Sequence, residues 1–198
     1  VDVSDPDQVA SLVAQTVAHF GTLDILVNNA AIVPFTTWDD IDFAEWRRIM
    51  AVNLDGVFLT CRAASDEMRK HDYGRIVNIA SQAAKSGFPF ASAYCSSKHG
   101  MVGLTRVSAI ELGRHAITVN AICPNHVTTG LGAWQNEYFS NALGMGLEQY
   151  LAAMKARIPL GRPGLPADTA NACAWLCSAQ AQYVTGESMN VSGGEEYH

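Results

Sequence analysis

The 198-residue sequence predicts a doubly wound α/β fold, a parallel sheet covered by helices on both faces. Three observations predict it. Short runs rich in Ile and Val recur at 23–30, 74–81 and 117–124, each stopped by small or polar residues. Longer helical patterns at 6–20, 42–70 and 92–114 alternate with them. Such alternation builds right-handed crossovers, which lay helices on both sides of one sheet.

Helix 6–20 has Ser4 or Asp5 as N-cap, Pro6 in its first turn and Gly21 as its stop. The run 23–30 (LDILVNNA) is almost continuously apolar and ends in two Asn. The runs 74–81 (GRIVNIAS) and 117–124 (ITVNAICP) repeat that form, which marks strands buried on both faces. The patterns 42–70 and 92–114 are long enough for about six helical turns or more. A last helix over 167–179 follows Pro163 and Pro166, with Asp168 placed to favour its N-terminal dipole. A fourth run, 183–191, contains Gly186 and precedes Gly193-Gly194. Residues 128–165 break the rhythm with Gly130, Gly132, Gly144 and Gly146 and with the aromatics Trp134, Tyr138 and Phe139. An insertion after a strand's C-terminal end lies where open α/β sheets bind ligands, so 128–165 is expected to form a substrate lid. The plainer alternative is a surface helical hairpin that only covers the sheet.

Composition narrows the function. A chain with 48% hydrophobic and 16% charged residues is not a disordered protein. The formal charge is −6, with eight acids and no Lys or Arg before Arg47. No basic stripe interleaves with aromatics, which argues against nucleic acid or an anionic membrane as partner. No signal-peptide pattern opens the sequence and no apolar run approaches the roughly 18 residues of a membrane span. Five cysteines (61, 95, 123, 173, 177) read as reduced thiols of a cytoplasmic protein. Cys173 and Cys177 share a helix face without further ligands at metal-binding spacing, so no metal site is expected.

The chemistry concentrates in Tyr94-Cys95-Ser96-Ser97-Lys98. On a helix, positions i and i+4 stack, so the Lys98 ammonium can reach the Tyr94 phenol. A free phenol, with a pKa of about 10, is a poor base at neutral pH, and an adjacent cation favours the phenolate. Ser81 closes the strand 74–81 and Asn28-Asn29 end the strand before it, at the same sheet edge. Asn53 lies within 42–70. Polar groups from three successive βα units thus meet at one end of an apolar sheet.

Asn28-Asn29-Ala30, Asn53, Ser81, Tyr94-x-x-x-Lys98 and Pro124-x-x-Val127-x-Thr129 occur in the order and spacing of the short-chain dehydrogenase/reductase family, which the whole sequence resembles from Asp2-Val3 to Gly193-Gly194. The resemblance implies a Rossmann-type fold, NAD or NADP as cofactor and alcohol/carbonyl redox chemistry. It implies Tyr94 as general acid/base, Ser81 orienting the substrate oxygen, Lys98 serving the phenol and the nicotinamide ribose, and Asn53 anchoring a water. It also implies Asp2 and Val3 near the adenine, Asn28 to Ala30 along the cofactor, and Pro124, Asn125, Val127 and Thr129 near the carboxamide. Ala31 and Asn125 stand where the family usually has Gly; Asn tolerates φ > 0, so the turn at 125 is expected to survive.

The family's Gly-rich phosphate turn is absent from these residues, since no strand precedes Gly144-x-Gly146. The opening Val1-Asp2-Val3 resembles the end of the family's third strand. An N-terminal β-α-β-α portion of roughly 60 residues is therefore expected to be missing from this sequence. A genuine short form without cofactor binding is the alternative, disfavoured because it would bare an edge of the strand 23–30. The expected pocket residues are Gln82, Phe88, Asn125, His126, Trp134, Gln135, Asn136 and Tyr138, a set that suits a polyol or sugar-like substrate. Gln82, His126 and Trp134 are its leading candidates. Reduction of a 3-oxoacyl group on a carrier protein is the alternative reaction, and a non-catalytic scaffold the alternative of another class. The helices 42–70 and 92–114 correspond to those through which the family assembles, so a homotetramer is expected.

Overall fold

Asp5 is the residue that starts the first helix. Its carboxylate accepts from the backbone N–H groups of Asp7 and Gln8, and Gly21, at φ +83°, closes the other end. The computed structural model describes residues 1–197. Its helices are α1 (Pro6–Phe20), α2 (Phe43–Met50), α3 (Gly56–Met68), α4 (Ser92–Leu112), α5 (Gly130–Ala142), α6 (Leu147–Arg157) and α7 (Pro166–Cys177). Four strands, β1 (Ile25–Asn28), β2 (Gly74–Ile79), β3 (Ile117–Pro124) and β4 (Ser188–Val191), lie side by side in sequence order. Every pairing is parallel, with Asn28 opposite Asn78 and Ile79 opposite Ile122. The C-terminal strand ends therefore share one edge.

Alternation along the strands divides the core in two. Ile76, Val119, Ala121 and Cys123 meet α3 and α4 through Cys61, Met68, Met101 and Leu112. Val77 and Ile122 point the other way, towards Leu176 of α7 and Ala181. Helices on both faces make the sheet doubly wound, as the alternating pattern predicts. Each fully buried Ile, Leu or Met contributes about 1.5–3 kcal/mol of transfer free energy.

Three differences from expectation have physical causes. The helix predicted over 42–70 is broken: between α2 and α3, Ala51–Asp55 widen into a π-helical turn. Asn53 in that turn is fully buried and points at the backbone of Ile32, which a regular helix would not reach. Second, β1 is buried on one face only. Leu26 joins the core, but α7 packs on β2, β3 and β4, leaving Ile25 and Val27 47% and 43% exposed. Third, residues 128–165 are mostly helical, an α5–α6 hairpin followed by a turn that Asp168 organises. Its carboxylate accepts from Leu165 N at 2.7 Å and pairs with Arg162, which holds it down to about 2.

All five cysteines are free. Cys173 and Cys177 pack against the α7 side of the sheet, where burial pushes the Cys177 thiol up to about 11. Among the described residues no helix is long and apolar enough to cross a membrane, and no His/Cys/Asp/Glu cluster is suited to a metal ion.

Candidate active site

The strand β2 ends at Ile79, and Ser81 follows as the N-cap of a short 3-10 turn, accepting from Ala83 N at 3.1 Å. The segment 85–91 then returns to start α4 at the same sheet edge. Phe90 in this segment holds φ +67°, an uncommon backbone state for an aromatic residue, and its carbonyl accepts from Thr36 N at 2.9 Å. The first turn of α4 thereby sets the Tyr94 phenol beside Ser81.

Beneath them lies Lys98, one helical turn on and 2% exposed. Its Nζ donates to the Ile79 carbonyl at 2.7 Å and sits 5.7 Å from the centre of the Tyr94 ring. Helical stacking thus brings the amine to the phenol's ring, while its hydrogen bond goes to the strand end. Burial pulls the Lys98 ammonium down to about 8. Burial also raises the Tyr94 phenol above its usual range, and the Ser81 hydrogen bond opposes that shift. The expected lowering of Tyr94 by Lys98 is thus absent in this arrangement: burial sets the direction, and Ser81, not the amine, opposes it.

Asn53 supports the site from behind. Its Oδ1 accepts from Ile32 N at 2.9 Å, and its Nδ2 donates to Ile32 O at 2.8 Å and to Ser97 Oγ at 3.3 Å. These bonds clamp the chain leaving β1 to α4. Asn28 departs from expectation too. Instead of lining a groove it is buried in a polar chain: Thr60 Oγ1 donates to Asn28 Oδ1, Asn28 Nδ2 to Asn78 Oδ1, and Asn78 Nδ2 to Thr105 Oγ1, at 2.7, 2.8 and 2.9 Å. This chain ties β1 and β2 to α3 and α4. Asn29 and Ala30 are exposed beyond it, at the sheet edge.

A cavity of about 420 Å³ opens in front of Tyr94 and Ser81. Of the predicted residues, Gln82, Phe88, Pro124, Asn125, His126, Val127, Thr129, Gln135 and Asn136 also line it. Thr129 caps α5 through Gly132 N at 3.0 Å, and Val127 bridges to Gly164. Asn125 does not adopt the positive φ anticipated for it. Trp134 does not line the cavity: it stacks on Phe35 at 5.3 Å and 8°, with its edge to solvent. Tyr138 donates to the Phe35 carbonyl at 3.3 Å, and Phe139 packs against Phe35, Phe88 and Phe90. Asp2 and Val3 stand away from the cavity, Asp2 accepting from Ser4 and Val3 packing on Gly56.

The family described as Enoyl-(Acyl carrier protein) reductase matches residues 1–196. The chain belongs to the short-chain dehydrogenase/reductase family. It is 39% identical to the 2-(S)-hydroxypropyl-CoM dehydrogenase 3 of Xanthobacter autotrophicus, over 98% of this chain and 74% of that protein. It is 35% identical to a 3-oxoacyl-(acyl-carrier-protein) reductase FabG of Staphylococcus aureus, over 98% and 74%. A crystal structure of a variant actinorhodin polyketide ketoreductase with NADPH superposes with a TM-score of 0.94 at 36% identity, over 100% of this chain and 76% of that one. This short-chain dehydrogenase/reductase is thus an NAD(P)-dependent oxidoreductase acting on hydroxyl and carbonyl groups.

The residues present fit the nicotinamide end of such a cofactor. Exposed Asn29 and Ala30 after β1, and Pro124, Val127 and Thr129 after β3, flank Tyr94 and Lys98 along the C-terminal edge. Dinucleotides bind open α/β sheets in that position. Several cavity residues carry no signal in the sequence pattern. Phe35, Leu131, Tyr150, Arg157 and Glu195 also line this dehydrogenase/reductase's cavity. Phe35 belongs to an irregular loop, and Glu195 lies beyond the last strand, so no periodicity marks either.

Proposed function

We propose that the protein transfers hydride between a nicotinamide dinucleotide and a ketone or secondary alcohol with a largely apolar body, with the 3-oxoacyl class favoured over polyols. One observation carries this reading: the Ser81–Tyr94 pair opens onto a cavity of mainly apolar surface whose wall includes Phe35, Phe88, Phe90, Leu131 and Phe139. Of the four amides expected to bind polyol hydroxyls, Gln82 and Asn125 are already engaged, while Gln135 and Asn136 line the cavity. Gln82 donates to Glu196 at 2.9 Å, Asn125 donates to Glu195, and Trp134 stacks outside the cavity. The names of similar proteins, among them a 3-oxoacyl reductase and a polyketide ketoreductase, support the same class.

In this reading Ser81 orients the substrate oxygen and Tyr94 gives it a proton in reduction or takes one in oxidation. Lys98 keeps positive charge beside the phenol and would hold the nicotinamide ribose. Asn29, Ala30, Pro124, Asn125, Val127 and Thr129 would flank the ring. When bound, the dinucleotide supplies or accepts the hydride. Asn53 acts as a positioning residue through Ile32 and Ser97. Residues 128–165 serve as a lid, supported by the packing of α5 aromatics on Phe35. Five cysteines without a disulfide suit a cytoplasmic setting, and the assembly is a homotetramer.

The test is a comparison of ethyl 3-oxohexanoate and its N-acetylcysteamine thioester, with NADH or NADPH, against polyols with the oxidised cofactors. Reduction of the 3-oxo compounds should dominate in kcat/KM; turnover confined to polyols would reverse the choice. Tyr94→Phe should lower kcat by about 10²–10⁴-fold with dinucleotide affinity nearly unchanged, because only proton transfer is lost. Near-normal turnover would remove Tyr94 from this role.

A further inference from the structure

The chain beyond β4 folds back over the cavity. Gly193 and Gly194 hold φ of +64° and +92°, and a Cβ on them would lie 2.8 Å from Ile158 and 2.9 Å from Pro159 respectively. This turn seats the Glu195 side chain, 11% exposed, in the cavity wall. Asn125 Nδ2 donates to Glu195 Oε2, Arg157 Nε donates to Oε1 at 3.0 Å, and His126 Nε2 lies 3.8 Å from Oε2. Three nitrogen groups, two from the loop after β3 and one from α6, converge on one carboxylate. Glu196 is held independently, accepting from Gln82 Nε2 at 2.9 Å and from Ser86 Oγ at 3.3 Å, while its N–H donates to Ser192 Oγ at 3.2 Å.

A guanidinium and an amide aimed at one point form a carboxylate-binding arrangement, and here the chain supplies the carboxylate itself. Burial keeps His126 below its usual range, with Arg157 acting in the same sense and Glu195 against it, so the charges in this corner are those of Arg157 and Glu195. A substrate carrying its own carboxylate to this corner would meet a like charge and find the donors taken.

We infer that Glu195 is a specificity-determining residue that fills a carboxylate subsite formed by Asn125 and Arg157, so that neutral 3-oxo esters and thioesters are accepted and free 3-oxo acids rejected. The subsite rests on these contacts alone; its consequence for substrate choice rests on the proposed 3-oxoacyl reading.

Hexanoate, which cannot be reduced at a ketone, tests the subsite by calorimetric titration of the wild type, Glu195→Ala and Glu195→Ala/Arg157→Ala. The single variant should bind hexanoate at least about tenfold more tightly than the wild type, as expected for one released charge-assisted contact. The double variant should lose that gain. Equal affinity in wild type and single variant, or a gain that survives removal of Arg157, overturns the subsite. In turnover, the kcat/KM ratio of 3-oxohexanoate to its ethyl ester should rise at least about tenfold in Glu195→Ala. An unchanged ratio with both compounds turned over overturns the specificity role. If neither compound is turned over while the hexanoate cycle holds, the subsite stands and the 3-oxoacyl reading falls.

Discussion

The Lys98 ammonium is buried with one carbonyl at 2.7 Å and the Tyr94 ring beside it, a poor exchange for water. Its folded-state value of about 8 lies below the ordinary lysine range. Between about pH 8 and 10.5 the unfolded chain therefore binds more protons than the folded one, and stability contributed at this position rises with pH. Below pH 8 the burial cost is fully present. Replacing Lys98 by Met removes the charge, so the variant should gain most in melting temperature, relative to wild type, at pH 7. That relative gain should shrink as pH rises towards 10; melting curves with the same gap at pH 7 and pH 10 would show that Lys98 carries no such cost. Spacing, the shared strand edge and the family resemblance together singled out Tyr94, Lys98 and Ser81, since helical stacking and a strand end are short-range geometry. The partners of Lys98 and Asn28 were not legible. One depends on a backbone carbonyl at a strand end, the other on the register that sets Asn28 opposite Asn78.

At the scale of the element, the proposed lid shows what punctuation can and cannot reveal. Glycines and aromatics marked 128–165 as different, yet the segment is mostly two helices, and Trp134, Tyr138 and Phe139 pack on Phe35 from the loop after β1. That contact joins residues far apart in sequence, beyond the reach of any local pattern. The π-helical turn at Asn53 was equally hidden, since its cause is the Ile32 backbone. Gly132 makes the lid testable. A Cβ there would lie 2.2 Å from the Val127 carbonyl oxygen, a backbone atom that cannot swing aside. Gly132→Ala should shift the start of α5 and disturb the Thr129 cap, costing about 1–3 kcal/mol. Because α5 covers the cavity, KM should rise more than kcat falls. Urea unfolding and steady-state kinetics indistinguishable from wild type would mean that this end of the lid yields freely.

Across the whole molecule, the strand order, the parallel pairing and the two covered faces follow from the alternation of apolar runs and helices, while the outward surface of α4 does not. Of the small residues Ala91, Ala93, Gly100 and Gly103, which would permit close helix packing between subunits, most serve the protomer itself. Ala91 and Ala93 are buried, and a Cβ on Gly100 would lie 2.9 Å from Leu54. Gly103, unlike Gly100, has open space before it, and Val107 and Ile110 follow at helical spacing, 54% and 82% exposed. With Phe58 of α3 also exposed, these residues give the outer face of the α3–α4 layer its apolar stripe. Burying Ile110 against a second copy would remove about 1.5–3 kcal/mol of unfavourable hydration per side chain, and a lysine there would place like charges at a two-fold contact. The wild type should therefore scatter light with the mass of four chains, and Ile110→Lys with the mass of two or fewer while keeping its helical circular dichroism. A wild type that runs as a monomer, or an Ile110→Lys protein that still holds four chains, would take the assembly away from this stripe.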